Sequence, residues 1–200
     1  MPRRTLRRTR KTRYLLYIPA IQKLAGLRDQ PDTVAAIVAG TILEGALERQ
    51  LAGHMRRMSA KEHNELFHSG PLRNLQPKIM LGQALNLFGA NTTTEMKTLG
   101  EIRNAFAHTV KDITFETKTI RELCFRLNRC ELRAPPFFAT ALVTGGVDTS
   151  PLSHDSARNM IKTSPKLRYL YSAPLLVFML EGMPNDRPLR TRAPWPGFLS

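Results

Sequence analysis

Cysteine is nearly missing from this 200-residue chain, with only Cys124 and Cys130 present. Two cysteines make neither a disulfide framework nor a zinc-ligand set. Six residues apart, they fall on different turns of a helix and read as ordinary thiols of a reducing cytoplasm. Long apolar runs are also missing. The most apolar late stretch, "YLYSAPLLVFMLEGM", is shorter than the roughly 20 residues a spanning helix needs and is broken by Pro174. No unbroken apolar segment follows the N-terminal charges, so no secretory signal is expected. Alternating strand patterns, internal repeats, nucleophile triads, glycine-rich phosphate loops and dinucleotide fingerprints are all lacking. What is left is an all-α reading, an irregular bundle of about five to seven helices, with no cofactor, no metal and no membrane association.

Acidic residues are scarce: 16 Asp plus Glu stand against 30 Lys plus Arg, for a net charge of +14. The imbalance is concentrated at the start. Arg3, Arg4, Arg7, Arg8, Arg10, Lys11 and Arg13 contain half of the net charge with no acid among them. Residues 1–14 are expected to be a disordered basic arm. Such an arm neutralises phosphates and releases counterions, but nothing in it can read bases. It therefore serves non-specific nucleic-acid binding or simple solubility. It is also rich in arginine as a mitochondrial transit peptide is, but it has few serines and no clear processing site. Residues 15–183 form the expected helical domain and 184–200 a Pro-rich tail.

Within the domain, a short helix is expected after Pro19, followed by a long one from Asp32. Asp32 or Thr33 serves as its cap, and Arg56 and Arg57 occupy its last turn. A small stripe (Val34, Val38, Thr41, Gly45) and a leucine stripe (Leu43, Leu47, Leu51) make it apolar on two sides, as suits a central helix. Ser59 and Glu62 form a capping-box pattern for the next helix. In "QPKIMLGQALNLFG", Ile79, Leu81, Leu85 and Phe88 pack and Gly89 is the stop. Thr92 to Thr94 would cap a helix running to Val110. A further helix places Ile120, Cys124 and Leu127 on one face. Residues 135–160 show no clear period, and the stretch from Pro165 reads as a last core helix kinked at Pro174.

The stretch "RNAFAH" contains the chain's one promising polar constellation. At about 100° per residue, Leu99, Ile102, Phe106 and Val110 share a core stripe. Asn104 and His108 lie together on the opposite side, and Arg103 on the flank. Glu44 and Glu48 on the long helix are four residues apart and share a face. No histidine lies in register with them, so they are read as partners for Arg103 or His108 and not as a metal site. A Glu44–Arg103 contact is the specific expectation.

Three blocks in order, "GPLRNLQPKIMLGQALNLFG", "EIRNAFAHT" and "ITFETKTIRELCFRL", resemble the mannitol operon repressor family of bacterial proteins. The likeness covers residues 32–133 and extends in part to about residue 183. It implies an all-helical protein of transcription regulation without a DNA-reading helix-turn-helix, working through a protein partner or a homodimer. Pro77, the basic arm and the Pro-rich tail depart from the family pattern. The middle block also resembles the helical HEPN domains, whose active members cleave RNA without metal across a dimer. That resemblance implies His108 as general acid or base, Arg103 as the stabiliser of phosphate charge and Asn104 as the residue orienting both.

Overall fold

The computed structural model describes residues 26–109, 112–128 and 154–181. The described residues form seven α-helices and no strand: α1 (Asp32–Gly53), α2 (Ala60–Phe67), α3 (Leu75–Ala84), α4 (Ala90–His108), α5 (Lys118–Phe125), α6 (His154–Thr163) and α7 (Pro165–Glu181). This is the all-α bundle that the missing strand pattern predicts. The basic arm, the helix after Pro19, Val110, Cys130, the Pro-rich tail and the domain limits at residues 14 and 183 lie outside the described residues.

Helix α1 is central. It packs against α7, α4 and α3, and α7 in turn touches α4, α5 and α6. The leucine stripe of α1 is buried as expected, with Leu43, Leu47 and Leu51 fully covered. The small stripe is not: Val34 and Thr41 are exposed, and the small residues that go inside are Ala35, Ala36, Ala39 and Gly40. Short side chains let α7 approach closely, and the Tyr169 hydroxyl of α7 donates to the Ala36 carbonyl at 2.8 Å. Phe106, Phe115 and Tyr169 stack in sequence, with ring centroids 4.9 and 5.4 Å apart. Such tilted aromatic pairs add to what burial alone contributes.

The ends of the helices depart from expectation in instructive ways. Pro31 takes the cap position of α1, and neither Asp32 nor Thr33 caps it. Asp32 instead accepts the Phe115 N–H at 2.9 Å and pairs with Lys166 at 3.0 Å, tying the α4–α5 loop and the start of α7 to α1. The helix stops at Gly53, so Arg56 and Arg57 lie beyond its last turn. His54 closes it, with Nδ1 donating to the Gln50 carbonyl at 2.8 Å. Arg56 is drawn to Glu62 at 2.6 Å. The Ser59–Glu62 capping box forms as read.

Gly89 is not the stop of α3 but the N-cap of α4, where no threonine side chain caps. Thr93 and Thr94 bond back to the carbonyls of Gly89 and Ala90. Helix α3 ends earlier. Asn86 adopts φ 55°, the Asn86 N–H donates to the Gln83 carbonyl, and the Leu87 N–H donates to the Gly82 carbonyl. That double closure is a Schellman ending with asparagine in the left-handed position. The last two helices confirm a core segment from Pro165 with Pro174 inside it, and add α6, which the sequence does not announce. Among the described residues, no helix is long and apolar enough to cross a membrane.

Candidate functional site

Gly40, Glu44 and Glu48 recur every four residues along one face of α1, and each receives a side chain from another helix. At Gly40 the stem of Arg103 lies against the bare backbone: a Cβ there would stand 2.7 Å from Arg103 Cγ and 3.0 Å from its Cβ. The missing side chain thus lets α4 deliver Arg103 along α1. One turn on, the Arg103 guanidinium reaches Glu44, with Nη2 3.7 Å from Oε2. Its Nη1 donates to the Asn104 amide oxygen at 3.0 Å. The Glu44–Arg103 contact anticipated from sequence is therefore present, as an ion pair longer than a hydrogen bond.

The same carboxylate has a stronger partner. Lys78 of α3 is 3% exposed and donates to Glu44 Oε1 at 3.0 Å and to Glu48 Oε2 at 2.9 Å. It also lies over the Phe67 ring, 6.0 Å from the centroid. A lysine this deep is tolerated because two carboxylates offset the loss of water around its charge. The remaining oxygen of Glu48, Oε1, faces two imidazoles, His63 within α2 and His68 at its C-cap. His63 Nε2 is 3.7 Å away and His68 Nε2 3.5 Å away. Carboxylates of α1, the lysine of α3, the arginine of α4 and the two imidazoles thus meet in one polar seam that runs along α1.

The sequence-predicted residues divide accordingly. Glu44, Glu48 and Arg103 come together, and Asn104 joins through its side-chain oxygen. His108 does not join them. It lies exposed in the last turn of α4, makes no hydrogen bond or ion pair with another described residue, and sits where a cation suits the helix dipole. Sequence spacing also leaves the Glu44–Glu48 pair without a histidine, whereas the fold brings in His63 and His68 from α2. Both histidines and Lys78 were missed. The available signal for Lys78 was a lone charge inside the apolar run "PKIML", which demands a buried counter-charge.

Two further features stand apart. Lys118, Arg121, Glu122, Phe125 and Arg126 line a shallow cleft on α5. The guanidiniums of Arg121 and Arg168 lie over the Phe125 ring at 5.7 and 5.4 Å. Beneath them Cys124 is fully buried, and the loss of water around it pushes its thiol up to about 12. No nucleophilic role fits such a thiol.

The fold and seam define a helical bundle whose central helix receives ion pairs from Lys78 of α3, Arg103 of α4 and Lys166 of α7. No family model, curated protein or solved structure matches this chain.

Proposed function

We propose that the chain is a non-enzymatic regulatory protein of the mannitol-repressor type, acting in the bacterial cytoplasm through contacts with a protein partner or a second copy of itself. One observation carries this reading. Arg103, the cation that phosphate chemistry would require, has its stem packed on Gly40 and its guanidinium directed to Glu44 and Asn104. A carboxylate beside the guanidinium opposes the approach of a phosphate and gives the arginine a structural task. The basic arm adds non-specific attraction to nucleic acid, and deleting residues 1–13 should flatten the salt dependence of any such binding.

The competing reading is a metal-independent ribonuclease using Arg103, Asn104 and His108, and it is favoured by the exposure of His108. Incubating the purified chain with assorted RNAs in chelator, beside His108→Ala, separates the two. Equal background from both proteins supports the regulatory reading. Cleavage by the parent and none by the variant overturns it.

A further inference from the structure

Glu48, His63 and His68 present one carboxylate oxygen and two imidazole nitrogens within 4.8 Å of one another. We propose that these three residues form a binding site for a divalent transition-metal ion of the zinc class, independent of the regulatory reading above.

The geometry is near what such an ion needs. Zinc held tetrahedrally by nitrogen and oxygen at about 2.0–2.2 Å keeps its ligand atoms roughly 3.3–3.5 Å apart. Glu48 Oε1 lies 3.7 Å from His63 Nε2 and 3.5 Å from His68 Nε2, so two of the three edges are already close to that span. The third, between the two imidazoles, closes by movement of His68, which caps the end of α2 and is 56% exposed. His63 is the better-fixed member, its ring packed 4.8 Å from that of Phe67.

The surroundings prepare the carboxylate. Lys78 occupies Glu48 Oε2 and leaves Oε1 turned to the histidines. This is the kind of outer contact that orients a ligating group. Charge selects the class of ion. Glu44 and Glu48 are balanced by Lys78 and Arg103, so the seam offers no surplus of negative oxygen for calcium or magnesium. Two imidazoles with one carboxylate suit zinc and its neighbours. With three protein ligands on an open surface, a fourth position is left for water or for a group from a partner.

Zinc titration of the full chain against a competing chromogenic chelator tests the site, with Co2+ absorption reporting the ligand field. The parent should bind one ion. His68→Ala, at an exposed cap position, should weaken binding at least about 10- to 100-fold. His63→Gln should do the same, and circular dichroism checks that both variants stay folded. His108→Ala should bind as the parent does. No stoichiometric binding by the parent, or equal affinity in His68→Ala and the parent, overturns the proposal.

Discussion

Gly40 and Arg103 approach so closely that a methyl group on the glycine would sit 2.7 Å from the arginine's Cγ. The obstructing atoms are the base of the side chain and not its flexible end, so relief requires α4 itself to shift. Gly40→Ala should therefore destabilise the bundle. Overpacking costs about 1–3 kcal/mol, offset by about 1 kcal/mol of improved helix propensity. Gly45→Ala on the same helix should do the opposite. Its new Cβ would meet only the tip of Arg49 at 3.4 Å, so the propensity gain of roughly 0.5–1 kcal/mol is kept. Thermal melts of the two single variants, moving in opposite directions, check this.

Lys78→Ala should be among the most damaging changes in the seam. It would leave Glu44 and Glu48 facing each other four residues apart with their shared cation gone. Breaking a buried pair costs about 3–5 kcal/mol, and the lower end applies because both carboxylates keep some water. Urea denaturation should show a lower midpoint with an unchanged slope.

Arg103 and His108 should separate cleanly by stability. Arg103→Ala removes a packed stem as well as two polar contacts, for a loss of about 1–2 kcal/mol with no nucleic acid present. His108→Ala, on an exposed turn, should stay within about 0.5 kcal/mol of the parent. Equal melting temperatures for the two variants would contradict the structural role given to Arg103.

Cys124 should resist alkylation at pH 8 in the folded protein and react once denatured, as peptide mapping would show. Its thiol ionises near 9 when unfolded and near 12 when buried. The stability it supports is thus complete below pH 9 and declines as the pH rises from 9 toward 12, because only the unfolded state gives up its proton there.

What could be read from sequence was what local chemistry decides. The Ser59–Glu62 box forms because both partners lie within one turn. Leu99, Ile102 and Phe106 go inside because the helical period places them together. The end of α3 escaped because Asn86 does the work usually assigned to glycine, which left Gly89 free to begin the next helix. At the seam, Glu44 and Arg103 were legible as opposite charges with one face and one flank. His63, His68 and Lys78 were not, since their convergence on α1 depends on how α2 and α3 dock, and no spacing along the chain encodes that docking.

The bond between Tyr169 and Ala36 joins residues 133 positions apart, and Lys166 reaches the Gln30 carbonyl across 136. Helical bundles usually fold fast because their contacts are local. Among the described residues, α1 receives its main cover from α7. During synthesis the alanine face of α1 lacks this cover until the ribosome has released α7. A chain ended before Pro165 would lack the cover that α7 supplies, and would be more prone to association.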